Sequence, residues 1–371
     1  MGWRESLLRT VGPGFLGGVT FSDWLSILKE IHFAVSPTCL PRAMAMTSQS
    51  IQNSLLAPFD LWKTGHSLAE MEIPPPLFVI GHWRSGTTHL HNLLALDHRF
   101  AFPNNYQALF PHTFLTAESI HSRAIEFFLP KRRPMYNIEW NMDSAQEDEF
   151  ALCIMTLLSP YLGWVFPRRK ERYEKYLTFH EASFREIDAW KATLVHYVKK
   201  LTWKYRRPLV LKSPPHTARI RLLLELFPNA KFIHIHRDPF TVFASTRKML
   251  LGNATMHCLQ RGGWDDVDEY VLRLYHIMHN AFFEDRQLIS VNNYHELPFA
   301  SLECDPISQL RTAYSKLSLP EFSVAEPTVR KYLDSIAGYE KNVHADLPTE
   351  LKSRIRRQWA RCFKEWGYAE G

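Results

Sequence analysis

The sequence predicts an α/β fold, a central parallel sheet flanked by helices, with a helical extension at the N-terminus. Three observations lead there. The short apolar runs 77–80, 209–212 and 231–236 have the length and composition of buried strands. Each is followed by a segment with helical periodicity, at about 89–96, 217–227 and 240–251. A glycine-containing segment, residues 81–88, joins the first run to its helix, at the strand end where open α/β sheets take ligands.

The remaining elements fall around this frame. Phe21, Trp24, Leu25, Leu28, Ile31 and Val35 recur at helical spacing, and a second helix is expected over about 42–56. Residues 1–72 hold no catalytic pattern and read as an extension that covers the core or rests on a membrane face. Pro74, Pro75 and Pro76 then break the chain. Residues 73–371 form the main domain, with a mostly helical insertion at about 98–205. In it a helix over 144–158 opens on an acidic turn, as the macrodipole favours. A fourth strand is expected at 288–291.

Composition bounds the function. With 371 residues, 46% of them hydrophobic, the chain can bury a sizeable core. The balance of 44 basic to 38 acidic residues gives a net charge of +6, mild but suited to an anionic ligand. Basic clusters at 131–133, 168–170 and 354–357 read as helix ends and loops, so nucleic acid is not an expected partner, and peripheral membrane contact stays open. The five cysteines are scattered and form no C-x-x-C, which argues against a disulfide framework or zinc site and for a reducing, cytoplasmic location. No signal peptide is visible. The apolar run 150–166 is interrupted by Pro160 and reads as a buried helix plus loop.

The segment Gly81-His-Trp-Arg-Ser-Gly-Thr-Thr88 places backbone N–H groups and a helix N-terminus where an anion would sit. Gly81 and Gly86 have the separation of the nucleotide P-loop glycines, but Thr87 stands where that loop has lysine, and the cation is Arg84, inside the loop. A kinase needs the lysine and usually Mg²⁺. A sulfuryl group carries less charge and can be held by one cation, hydroxyls and amides. A second anion site follows the third strand. Arg237 stands just past its end, able to fork onto a phosphate, and Ser245 lies eight residues on in the next helix. Lys212 ends the second strand.

Together these motifs resemble the sulfotransferases that use 3′-phosphoadenosine 5′-phosphosulfate (PAPS), and most closely their bacterial and tyrosyl-protein members. Leu226-Phe-Pro-Asn-Ala-Lys-Phe232, Tyr339-Glu-Lys-Asn342 and Trp366-Gly-Tyr368 add to the likeness, which covers roughly residues 77–342. It implies a P-loop-like three-layer fold and transfer of a sulfuryl group from PAPS to a hydroxyl or amine without a metal. It implies that Arg84, Ser85, Gly86, Thr87 and Thr88 hold the phosphosulfate, that Arg237 and Ser245 hold the 3′-phosphate, and that Lys212 serves the bridging oxygen and sulfuryl group. His89 stands where the cytosolic branch has its adenine-stacking tryptophan.

In-line transfer needs a base for the acceptor proton and a cation for the departing phosphate oxygen. Lys212 and Arg84 suit the second task. For the first, the cytosolic histidine position is Pro214 here, so the candidates are the acidic triplet Glu147-Asp148-Glu149, His216 and His82, with Glu147 favoured, His216 second and His82 expected to pack locally. His234 and His236 share a strand face, but no third ligand accompanies them and no metal is expected. A P-loop kinase-like phosphotransferase and a non-catalytic nucleotide-bisphosphate scaffold are the competing readings. Phe100, Phe102, Tyr106, Phe110, Phe114, Tyr161, Trp164 and Phe166 point to a small, apolar or lipid-like acceptor.

Overall fold

In the computed structural model, which describes residues 10–128, 141–338 and 347–369, four parallel strands form one sheet in the order β2-β1-β3-β4. They are β1 (Leu77–Ile80), β2 (Val210–Lys212), β3 (Lys231–His236) and β4 (Tyr294–Pro298). Val79 of β1 lies opposite Lys212 on one side and Ile233 on the other. The basic run 131–133 and the 339–342 motif fall outside the described residues.

The alternation along β1 shows why the sheet is the middle of three layers. Leu77 and Val79 join a cluster with Leu90, Leu93 and Leu94 from the following helix and Leu302, Leu310 and Tyr314 from later ones. Phe78, pointing the other way, packs on Phe232 and Phe227 at ring distances of 5.4 and 6.1 Å. All four β1 residues are buried, as a parallel sheet covered on both faces requires. The chain leaves β1 for β2 on one side and later returns to β3 on the other. The loop after β1 therefore sits at the point where strand order reverses.

The fourth strand lies six residues later than expected, at Tyr294–Pro298, and the 288–291 stretch is not strand. Two 3₁₀ turns, Arg286–Leu288 and Val291–Asn293, flank that stretch, and Val291 is 84% exposed. The real strand hid because its outward residues are polar. Glu296 accepts hydrogen bonds from His234 Nδ1 and Tyr294 Oη, each at 2.8 Å, and this sets the edge of the sheet. Next along β3, His236 stacks on Trp366 at 4.7 Å and bonds through Nδ1 to Tyr368 Oη at 2.8 Å. The Trp366-Gly-Tyr368 tail is thus docked against the strand end that leads to Arg237.

By contact, β1–β4 belong to a unit made of Pro74–Ala101, Arg207–Met249 and Asp266–Gly371. A second, helical unit gathers Met1–Ile73, Phe102–Arg206 and Leu250–Asp265. The N-terminal helices, Phe21–Glu30 and Leu40–Thr64, therefore share a unit with the 102–206 segment, and a third segment joins them that had no signal in the sequence. This unit is organised around a buried ion pair. Asp60 takes Lys200 Nζ at 2.9 Å, the N–H groups of Leu115 and Thr116 at 3.0 and 2.9 Å, and the Thr116 hydroxyl at 2.6 Å. One carboxylate so caps the Phe114–Phe128 helix and neutralises a lysine. The 150–166 run is a buried helix, Asp148–Thr156, followed by a turn and the short Leu162–Val165 helix. Among the described residues no helix is long and apolar enough to cross a membrane.

Burial holds His236 at about 4, well below the 6.5 of an exposed histidine, with the neighbouring His234 adding to the effect. The unfolded chain takes up that proton near 6.5, so the stability this site contributes is intact above that pH and is lost as pH falls towards 4. His82 and His257, also held at about 4, add to the same slope. We expect the melting temperature to drop across this window, and the drop to be shallower in His236→Gln. An equal slope in the two proteins would remove His236 as a contributor.

Candidate active site

The loop after β1 is shaped by two close approaches. A Cβ on Gly81 would stand 2.3 Å from the Ile235 carbonyl oxygen, and one on Gly86 would stand 2.2 Å from Cδ2 of Phe299. Both glycines have positive φ, +146° and +103°. No other residue lets the backbone pass so near β3 and the helix after β4. The Gly81 N–H donates to Thr217 Oγ1 at 2.7 Å, so the turn after β2 anchors the start of the loop. Ser85, 2% exposed, donates its hydroxyl to the His82 carbonyl at 2.7 Å and closes the turn. The Thr87–Ala95 helix then starts from Gly86 with no side-chain cap, its N-terminal backbone and the exposed Thr88 facing outward.

Arg84 is left-handed, with φ +69°, a conformation that side chains seldom adopt and that is often found at functional sites. Its Nε donates to Ser245 Oγ at 2.7 Å. Arg237 lies beside it, with Nη1 at 3.5 Å from the Arg84 carbonyl and its guanidinium 4.4 Å above the Phe299 ring. Arg84, Arg237 and Ser245 thus converge, 161 residues apart in chain terms for the Arg84–Ser245 contact. Burial pulls the Arg237 guanidinium below its ordinary pKa, with Glu303 opposing and Arg84 reinforcing the effect. An anion bound there would relieve the crowding of two guanidiniums. Asp238 caps the Pro239–Met256 helix, accepting from Thr241 N and Oγ1 at 2.8 and 2.7 Å, and this holds Ser245 in place.

Lys212, 2% exposed, ends β2 with Nζ 3.5 Å from Thr88 Oγ1. The contacts therefore group the cations differently from motif order: the Arg84 side chain goes with Ser245 and Arg237, and Lys212 goes with Thr88. His89 is half-buried with its ring edge-on to Phe299 at 6.5 Å, and burial lowers its pKa.

The base candidates separate by exposure. His216 is fully buried in the Pro214–Ala218 turn, its ring edge-on to Phe78 at 5.5 Å, a packing position. His82 is buried beside Tyr275 and His279, donates through Nδ1 to the Trp83 carbonyl at 2.8 Å, and is held near 4 by burial. In the helical unit, Asp148 and Glu149 are both 0% exposed, and Glu149 accepts from Ser159 Oγ at 2.6 Å. Glu147, just before that helix, is the member of the triplet that stays partly exposed, and it accepts a hydrogen bond from Tyr161 Oη. Tyr161 stacks on Trp164 at 4.1 Å, with Phe15 and Phe150 also against its ring. Apart from the half-buried Phe102, the aromatics expected to line an acceptor pocket are buried in packing clusters of this kind. Among the described residues no group of three metal-ligating side chains occurs.

Thr217, Phe299 and Phe15 escaped the sequence reading. None lies in a recognisable motif, and each matters through a contact made across a long stretch of chain.

Residues 75–323 match the sequence profile of the sulfotransferase family. The chain is 37% identical over 367 residues to omega-hydroxy-beta-dihydromenaquinone-9 sulfotransferase Stf3 of Mycobacterium bovis and of Mycobacterium tuberculosis, covering 99% of this chain and 93% of theirs. Its fold is similar to that of the crystal structure of sulfotransferase STF9 from Mycobacterium avium, with TM-score 0.71, 19% identity and coverage of 91% and 89% of the two chains. For STF1 from Mycobacterium tuberculosis H37Rv the values are 0.63, 17%, and 92% of each. The chain belongs to the sulfotransferase family and has its P-loop-like α/β fold. It is an enzyme that moves a sulfuryl group from a donor to an acceptor.

Gly86→Ala should destabilise the sheet unit by about 1–3 kcal/mol through overpacking against Phe299, read from the denaturation midpoint. Adding Phe299→Leu should recover only part of the loss, because the positive φ remains. Full recovery would show that crowding alone dictates the glycine.

Proposed function

We propose that this sulfotransferase takes its sulfuryl group from PAPS and delivers it to a hydroxyl or amine of a small, apolar acceptor. The observation that carries the donor reading is the convergence of Arg84, Arg237 and Ser245 beside the β1 loop, with Lys212 and Thr88 at the end of β2. Two cationic groupings on one sheet edge suit a ligand with phosphates at both ends of a nucleoside. The donor set is entirely cations, hydroxyls and loop amides, which fits a phosphosulfate and a phosphate.

Bound there, PAPS supplies the sulfuryl group, whose sulfur the acceptor oxygen or nitrogen attacks as the bond to the phosphate oxygen breaks. Arg237, Ser245 and the Arg84 side chain hold the 3′-phosphate, while the loop amides and Thr88 hold the phosphosulfate. Lys212 meets the negative charge that develops on the departing phosphate oxygen. Glu147 takes the acceptor proton. Its partial exposure supports this role over Asp148, Glu149 and His216, which are buried. The name of the mycobacterial relative gives a hydroxylated menaquinone as its acceptor, and 37% identity along nearly the whole chain supports a lipid-like acceptor here too. Such an acceptor is presented at a bilayer.

Calorimetry with adenosine 3′,5′-bisphosphate and adenosine 5′-phosphate tests the donor site. Arg237→Ala, Ser245→Ala and Arg84→Ala should each weaken the bisphosphate about tenfold or more, the scale of a lost charge-assisted bond of about 1.5–3 kcal/mol, and the monophosphate much less. If Arg84→Ala weakens both ligands equally, Arg84 serves the 5′ end. Tight binding of ATP and none of the bisphosphate would favour the phosphotransferase reading.

Glu147→Gln should lower kcat on the order of 10²-fold or more, with bisphosphate affinity unchanged, as for a positioned base. Full activity in that variant, in labelled-PAPS transfer to a hydroxylated menaquinone, would rule Glu147 out.

A further inference from the structure

The Leu40–Thr64 helix is built inside out. Its buried positions are Arg42, Met46, Ser50, Asn53, Asp60 and Thr64, all polar but one. Its outward positions include Leu40, Met44, Ile51, Leu55, Phe59 and Trp62, 44–84% exposed. At about 100° per residue these six fall within roughly a 100° arc, one continuous stripe, with Leu61, 61% exposed, about 60° to its side. A surface helix in water shows the reverse pattern.

The register of the helix is held by specific bonds. Arg42 Nη1 donates to the Cys258 carbonyl at 2.8 Å, and Asn53 Nδ2 to the carbonyls of Gly17 and Val19 at 2.7 and 3.0 Å. Asp60 carries the ion pair with Lys200 and caps the Phe114–Phe128 helix. Turning the helix to bury its apolar stripe would strip partners from all three, and a buried polar group without a partner is costly. The exposure is therefore a designed state of this face. Of the fifteen large hydrophobic side chains exposed among the described residues, nine lie between Phe21 and Trp62, so this is where the chain concentrates apolar surface.

We propose that this outward face seats the enzyme on the surface of a lipid bilayer, with the helix lying in the interfacial plane. Three features select lipid. The helix has one carboxylate, Asp60, and it is buried, so the outward face shows no negative charge to a headgroup layer. The most exposed member of the stripe is Trp62, a side chain that settles at the membrane–water interface, while the ammonium of the neighbouring Lys63 donates to the Leu115 carbonyl at 2.6 Å. The stripe is one helix wide and runs about 33 Å from Leu40 to Trp62 at about 1.5 Å per residue. That shape suits a helix bedded along an interface more than the broad patch of a stable protein pair. The helix is not long and apolar enough to cross a membrane, which fits a place along the surface. That the bilayer also presents the acceptor rests on the acceptor reading above; the docking does not.

Flotation of the full chain with phosphatidylcholine–phosphatidylglycerol vesicles tests the docking. The unmodified enzyme should float, and Leu55→Ser/Phe59→Ser/Trp62→Ser should lose at least about tenfold in bound fraction while keeping its melting temperature and its affinity for adenosine 3′,5′-bisphosphate. If the triple variant does not fold, brominated lipid should quench the fluorescence of the unmodified enzyme and do so less in Trp62→Phe. An enzyme that stays with the soluble fraction, a folded triple variant that floats as well, or equal quenching in Trp62→Phe would overturn the proposal. So would an enzyme that is dimeric, does not float, and becomes monomeric in the triple variant, which would assign the face to a second copy. Should the acceptor reading alone be wrong, flotation would persist while no hydroxylated lipid becomes labelled from PAPS.

Discussion

Everything at the sheet edge depends on how closely the backbone of the β1 loop can pass its neighbours. Gly81 slides past the Ile235 carbonyl and Gly86 past the Phe299 ring, at separations no side chain could occupy. Phe299 is shared: the ring that forbids a Cβ at Gly86 also carries the Arg237 guanidinium on its face. The position of the loop and that of the arginine after β3 are therefore one variable. The left-handed Arg84 completes this arrangement, sending its side chain to Ser245 in the helix after β3. A loop that reads in sequence as an isolated strand-to-helix turn is in space joined through Arg84 to Ser245 and Arg237, beyond the end of β3.

The helical unit solves a different problem with the same economy. Its long helix turns polar groups inward, which is tolerable only because each finds a fixed partner. Asp60 alone satisfies two helix N–H groups, a threonine hydroxyl and the Lys200 ammonium. Burial lowers the Lys200 pKa while Asp60 raises it, and removing either partner would leave the other charged and buried. Such a network orders three separated pieces of chain, and it explains how an extension without motifs packs as an integral part of its unit.

What was legible in the sequence was what chemistry confines to a few adjacent residues. The β1 run, the two glycines, Arg84, Lys212, Arg237 and Ser245 sit in short motifs, and the strands carrying them are apolar enough to read directly. β4 was misplaced because its Tyr294 and Glu296 look like surface residues until His234 is seen opposite them. His216 is buried against Phe78, a placement that depends on where β1 lies and that no local pattern reveals. Thr217 and Phe299 act through contacts with Gly81 and Gly86, positions more than 130 and 200 residues away by number.

The Leu40–Thr64 helix shows the limit of periodicity more sharply. The sequence announces a helix here, at about 42–56 against the observed Leu40–Thr64, and in the structure its exposed apolar residues share one stripe. Periodicity says nothing about which way that stripe faces, and the usual assumption turns it to the core. The partners that decide the question, Gly17, Val19, Cys258, Lys200 and the first turn of the Phe114–Phe128 helix, come from distant parts of the chain. Hydrophobic stripes are commonly taken as the cause of packing. Here three polar side chains, Arg42, Asn53 and Asp60, with fixed partners set the orientation, and the apolar stripe is left outward as the consequence. A face kept so at the expense of water contact is one that meets something other than water.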